Sequence, residues 1–448
     1  MIAIKSKTLY LIACILLTLG LLIGQIFVSN SIVTAIMIAF LLLIAWASFN
    51  GFALPLLLFF LPWSPLMKIG AIGTSIYTIA VLTVLLIYVI KCYKMVQVYH
   101  LIPALLLISL TLATRTFRGI PIDLGYVAFV LFLMFFPMLS KELKEEQYGY
   151  FSLTVFFSVG VIFAAIAAQQ LAVVPTMARF INVMSYSGLT RCSGFYGDPN
   201  FYSAHVTAAF AGVLVLFSNE VSKKKKALMF LIAIALLYCG VIGVSKMFVL
   251  VALAVVLLWL LYILFQKERL SMKMMLLLVF IIAVLFVSSS TIFSDSIDQM
   301  VLRFRNETGS LSDFTTNRSD LWIAYFDAFS EDPFLLLFGR GFSSSVLPMD
   351  KASHNTLIQI VYQFGLVGMV AYVAWFVCYA KGALGKLRLS YGNFFQMLVL
   401  IMGAFGSFMA LDFLFFDEIF VFPLYVAVGM IYVSNKDDNQ RLVENRIK

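Results

Sequence analysis

The chain has 448 residues, of which 62% are hydrophobic and only 12% charged, and its mean hydropathy is +1.01. A water-soluble domain carries about 25% charged residues, so this composition excludes a soluble globular fold and points to a polytopic membrane protein. Long continuous apolar runs, without the alternation of a barrel, select helices as the spanning elements. The net charge of +9 is read as inside anchoring by Lys and Arg rather than as a nucleic-acid partner.

In chain order, Lys5 and Lys7 precede the first run, Thr8–Val28, and place the N-terminus inside. Met1–Gln25 lacks a small-residue cleavage site and reads as an uncleaved first span. Runs follow near 32–50, 52–67 and 72–90. The third run of the chain contains Pro55, Pro62 and Pro65 and reads as kinked or partly re-entrant. Further runs near 99–114, Ile122–Leu139, Phe151–Val173, Phe201–Phe217, Ala227–Val244, Phe248–Phe265 and Met274–Ser288 alternate with inside turns marked by Lys91, Lys94, Lys141, Lys144 and Lys223-Lys224-Lys225-Lys226. Thr356–Tyr379 and two last runs, 394–411 and 414–433, complete the chain and return the C-terminus inside. The expected fold is therefore all-α, a transmembrane bundle of about 12–14 spans.

Three parts are expected: helices with an external anion-site stretch at 174–200 within residues 1–290, an extracytoplasmic catalytic loop at 291–355, and closing helices at 356–448. Within the loop, Leu321, Trp322, Tyr325, Phe326 and Phe329 fall on one helical face, with Arg318, Asp320, Asp327 and Glu331 turned away. This predicts an amphipathic helix lying at the outer membrane surface with Trp322 and Tyr325 at headgroup level, or packed on the spans, two readings that do not exclude each other. Pro333 stops it. The glycines of Gly339-Arg340-Gly341 let a backbone approach a ligand closely, or form a plain turn.

Chemistry-bearing residues collect on the predicted outside. In Arg191-Cys192-Ser193-Gly194-Phe195-Tyr196-Gly197-Asp198-Pro199-Asn200, Asp198 is an N-cap and Pro199 the first helical residue. An arginine beside a helix N-terminus is an anion site, against the alternative that Arg191 only reaches headgroups. Lys246, Arg318 and Arg340 are further external cations. His354 borders water and lipid, and an imidazole titrating near pH 6.5 suits a general base. His205 reads as a satisfied buried histidine and His100 as structural. Asp412, Asp417 and Glu418 gather at the last external turn, and the spans hold almost no carboxylates, which disfavours an ion-coupled transporter. No nucleotide-phosphate loop and no metal-ligand spacing occur in the sequence. Only Cys192 of the five cysteines falls outside, so no external disulfide is expected.

The Arg191–Asn200 stretch resembles the signature R-x-S-G-x-x-x-(D/N)-P-N of the O-antigen ligase and Wzy-type polysaccharide polymerase superfamily. Asn317-Arg318, Trp322, Gly339-x-Gly341, His354-Asn355 and Gly365-x-x-Gly368 follow in the order of that family's large loop and next span, so the resemblance covers about 150–380. One departure is Lys246, where the family often has arginine.

The resemblance implies an inverting, metal-independent glycosyltransferase of the bacterial inner membrane, needing no cofactor. Its donor would be a glycan on undecaprenyl diphosphate and its acceptor a sugar hydroxyl. It further implies His354 as catalytic residue, Arg191, Lys246, Arg318 and Arg340 as diphosphate binders, and Tyr196, Asp198, Asn200 and Asn355 as site supports. The expected activity is polymerisation of a surface polysaccharide. The alternatives are ligation of the glycan to lipid A core or, from another class, lipid-glycan transport. Expected partners are donor, acceptor, lipid bilayer and, as a further candidate, a chain-length regulator, but no nucleic acid.

Overall fold

A computed structural model of the chain describes residues 12–13, 15–20, 22–24, 31–67, 75–92, 98–142, 149–171, 184–186, 189–196, 198–220, 222–265, 297–299, 301, 317–343, 352–384, 391–414 and 416–447. The predicted run Met274–Ser288, the residues Arg179, Arg303, Arg305, Thr315, Thr316, Ser344 and Ser345, and the side chain of His100 lie outside what is described.

The architecture is helical. In chain order the elements are α1 (Ser31–Asn50), α2 (Ala53–Phe60) running into a 3-10 turn (Leu61–Met67), α3 (Ile76–Cys92), α4 (Val98–Phe117), α5 (Leu124–Glu142) and α6 (Tyr150–Leu171). A short antiparallel hairpin, β1 (Met184–Tyr186) and β2 (Leu189–Arg191), pairs Met184 with Arg191. There follow α7 (Pro199–Asn219), α8 (Lys223–Ile242), α9 (Lys246–Phe265), α10 (Arg318–Glu331), α11 (Pro333–Phe338), α12 (Thr356–Leu384), α13 (Tyr391–Phe405) and α14 (Glu418–Ile447). The hairpin is an addition to the expected all-α bundle, and it carries Arg191 at its end.

Among the described residues, α6, α7, α8, α9, Thr356–Lys381 of α12 and Glu418–Asn435 of α14 are long and apolar enough to cross a membrane, and shorter apolar helices accompany them. The proline-rich run departs from α geometry where Pro62 and Pro65 remove helical donors: α2 ends at Phe60 and the chain continues as 3-10 helix.

Helix α7 is the hub, packed against α6, α8, α9 and α13. Small residues make this possible, because helices in lipid gain most from close backbone approach. A β-carbon at Gly403 of α13 would meet Ala211 and the Thr207 carbonyl, and one at Gly212 would strike the Tyr425 hydroxyl. Thr207 Oγ1 donates to the Gly403 carbonyl across this contact (3.0 Å).

Helix α12 is broken at Gly365, whose φ of 68° lies in the left-handed region. The carbonyls freed by the break, those of Tyr362 and Gln363, accept from the amides of Arg340 (2.8 Å) and Gly341 (2.8 Å). A β-carbon at Gly365 would lie 2.3 Å from the Leu337 carbonyl oxygen, and one at Gly339 would lie 2.4 Å from the Gly365 nitrogen. The close approach made possible by Gly339 and Gly341 is thus to another stretch of the protein's own backbone, which corrects the ligand-approach reading.

Candidate functional site

Four helix N-termini meet at one end of the bundle: those of α7, α9, α10 and α12. The first is built as the sequence predicts. Asp198 Oδ1 accepts from the Asn200 amide (2.8 Å), with Pro199 opening α7. Asn200 Oδ1 in turn accepts from Ser245 Oγ (2.6 Å), which ties the start of α7 to the start of α9 at Lys246. The Cys192 amide donates to the Ile242 carbonyl (3.0 Å), so the chain just after Arg191 is fixed to the same turn. Arg191 and Lys246 are 6% and 9% exposed, unusually deep for cations and far from the free headgroup-reaching alternative.

The starts of α10 and α12 complete the group. Asn355 caps α12, its Oδ1 accepting from the amides of Leu357 (2.9 Å) and Ile358 (3.3 Å). Immediately before it His354 is held with φ at 50°. Asn317, before Arg318, and Val244, before Ser245-Lys246, also have positive φ. Such backbones are uncommon outside glycine, and for a β-branched residue they are genuine outliers that need surrounding structure to hold them.

For His354 the restraint is Asp412. Its carboxylate accepts from Ser353 Oγ, from the His354 amide (2.7 Å) and from the Asn355 amide (3.4 Å). Thr356 Oγ1 donates to the Leu411 carbonyl (2.6 Å), and Gln359 Oε1 accepts from the Leu414 amide (3.0 Å). The turn at 411–414 is therefore stitched to the entire start of α12. His354 Nδ1 stands 3.9 Å from Asp412 Oδ2.

Electrostatics join these parts. Burial pushes the His354 imidazole below its ordinary value; Asp412 and Asp198 pull it up, and Arg318 pushes it further down. The net direction is down, so the ring is neutral at pH 7 and able to take a proton. Arg318 is likewise lowered by burial and raised by Asp198 and Asp412. Asp198 at the start of α7 therefore lies within electrostatic reach of both Arg318 and His354.

Arg340 donates to the Tyr362 hydroxyl (3.1 Å) beside the break in α12. Helix α10 turns Leu321, Tyr325 and Phe329 inward, with Tyr325 packed edge-on against Tyr362. Trp322 Nε1 donates to the Ser353 carbonyl (3.0 Å), while Ile323 and Phe326 face outward. Both side chains contact the protein, as the packed reading expects, and Trp322 braces the residue before His354. Asp412 received no role from the sequence. The available signal was its position as a carboxylate at the edge of apolar runs, where such groups are rare and usually functional.

Among the described residues no set of three His, Cys, Asp or Glu side chains is arranged to hold a metal ion. What the site offers is positive helix ends, the buried cations Arg191 and Lys246 at the starts of α7 and α9, and Arg318 within electrostatic reach of a neutral imidazole, a combination suited to an anionic ligand and a proton acceptor.

Fold and site define a multi-pass integral membrane protein with a polar, anion-suited site at one end of its bundle. Residues 230–373 match the O-antigen ligase family model (Wzy_C), so this part of the chain is similar to that family. The matched segment contains Lys246, Arg318, Arg340, His354 and Asn355; Arg191–Asn200 precedes it and Asp412 follows it. No curated protein matches the chain.

Proposed function

We propose that the chain polymerises a surface polysaccharide by transferring glycan from undecaprenyl diphosphate to an acceptor sugar hydroxyl on the extracytoplasmic face of the bacterial inner membrane, its two termini lying in the cytoplasm. The observation that carries this reading is the joining of the starts of α7 and α9, which hold buried Arg191 and Lys246, to the starts of α10 and α12, through Asp198, Arg318 and the imidazole of His354. The donor's diphosphate sits on the cations and helix ends. The acceptor oxygen attacks the anomeric carbon from the face opposite the diphosphate, the carbon–oxygen bond to the diphosphate breaks, and configuration inverts. The leaving diphosphate gains negative charge, which the cations stabilise. The proton of the acceptor hydroxyl goes to His354 Nε2, the ring nitrogen away from Asp412. Arg340 supports the loop that carries Arg318 rather than the diphosphate itself.

The family description also fits a second reading, ligation of a finished glycan to another acceptor. Cells carrying His354→Ala in place of the native chain are expected to insert the protein normally and to accumulate lipid-linked single repeats. Accumulation of long lipid-linked polymer instead makes the protein a ligase. Wild-type surface polymer in that variant overturns the catalytic role of His354, and substrate movement without any covalent product from the purified protein makes it a transporter.

A further inference from the structure

We propose that Glu418 is a positioning residue for this transfer: through Tyr196 it sets the Arg191–Asn200 segment against the His354 loop, which Asp412 holds from the same turn. The inference rests on the function proposed above and adds a residue to it.

Glu418 is the first residue of α14 and is 1% exposed. A carboxylate at that depth is costly unless it is bonded and balanced. Its Oε1 accepts from the Tyr196 hydroxyl (2.8 Å) and stands 3.1 Å from Nε2 of the fully buried His205. His205 Nδ1 lies 2.8 Å from the Phe201 carbonyl, which can only accept, so Nδ1 carries a hydrogen. His205 Nε2 also lies 3.3 Å from the Tyr196 hydroxyl, so Glu418, Tyr196 and His205 form one buried polar cluster. Tyr77 and Asp417 are the other titratable groups near Glu418.

The Tyr196 hydroxyl gathers further partners from the N-terminal third. The Leu61 carbonyl is 3.1 Å away and Ser64 Oγ 3.3 Å away, both in the 3-10 turn after α2. Tyr77 of α3 donates to the Leu57 carbonyl (2.7 Å), and Thr78 Oγ1 donates to Asp417 Oδ2 (3.0 Å). The helices that precede the matched family segment thus brace the site through this cluster.

The geometry gives the cluster a task beyond filling the core. Tyr196 lies two residues before Asp198, the cap of α7 that reaches Arg318 and His354 electrostatically. Asp412 and Glu418 stand at the two ends of one turn, itself tightened by the Phe416 amide on the Phe413 carbonyl (2.9 Å) and the Phe420 amide on the Asp417 carbonyl (3.1 Å). One end grips the proton acceptor's loop and the other grips the segment with Arg191. The turn therefore sets the separation between leaving group and base, which is the quantity a transfer reaction is sensitive to.

The test uses full-length protein reconstituted with the undecaprenyl-diphosphate glycan extracted from host cells lacking this chain, and compares Glu418→Ala, Glu418→Gln, Tyr196→Phe and the double variant. Glu418→Ala is expected to lower kcat about 100-fold with donor KM changed by less than about threefold. Glu418→Gln, which can donate to His205 and stay bonded to Tyr196, is expected to retain at least about a third of wild-type kcat. Tyr196→Phe is expected to match Glu418→Ala, and the double variant to be no worse than either, because both cut the same link. Wild-type kcat in Glu418→Ala, a Gln variant as impaired as Ala, or additive losses overturn the inference. If Glu418→Ala does not insert, Tyr196→Phe carries the test, and wild-type kcat there overturns it. An inactive wild-type protein overturns the proposed function and this inference with it; an active wild type with active variants overturns the inference alone.

Discussion

Replacing Asp412 with alanine tests how His354 is held. The substitution removes the acceptor of the Ser353 hydroxyl and of the His354 and Asn355 amides. Hydrogen bonds to a charged group contribute about 1.5–3 kcal/mol each, and the left-handed backbone of His354 costs about 1–3 kcal/mol. Losing even two of the three bonds exceeds that cost, so the loop relaxes and the imidazole leaves its place. General-base catalysis contributes about 10²–10⁴-fold, and kcat of Asp412→Ala is expected to fall by about that range while the helices remain inserted. The assay is turnover of the lipid-linked glycan by reconstituted protein, with circular dichroism as the control for folding. Wild-type kcat in this variant refutes the reasoning.

Further outcomes follow from the same contacts. Arg318→Gln removes a cation that depresses His354, so the acid limb of its kcat/KM profile should move to higher pH; a shift downward would contradict the arrangement. Gly365→Ala places a methyl 2.3 Å from the Leu337 carbonyl at a left-handed position and should lower the thermal midpoint markedly, or prevent accumulation; unchanged stability in detergent would refute the broken-helix packing. Burial, with the neighbouring Glu418 carboxylate, pushes Asp417 up to about 7. A raised acid binds an extra proton in the folded state, so its contribution to stability is lost as pH rises from about 4 to about 7. Asp417→Asn should therefore be more stable than wild type at pH 8, by about 1–2 kcal/mol after allowing for water at its partly exposed carboxyl, and the advantage should vanish towards pH 4. An advantage that grows on acidification would refute the assignment.

Much of the helical framework was legible in the chain because its signals are local. Asp198-Pro199 announces a helix start through groups one to three residues away, and that cap forms. Composition sufficed for a membrane bundle because backbone polarity must be satisfied within each span. Arg191, Lys246 and Arg318 stood out because cations at the outer ends of apolar runs break the inside bias. Only tertiary structure decided what these groups touch. Gly339 and Gly341 meet the break in α12 because that break leaves carbonyls free, and no local signal names the partner of a freed carbonyl. Arg340 turns to Tyr362 and Trp322 to Ser353 for the same reason. Asp412 and Glu418 are two carboxylates in one turn, alike in sequence. One holds the loop of His354 and the other the tyrosine before Asp198, since a buried charge takes its role from the donors packed against it, and these come from segments up to some 220 residues away.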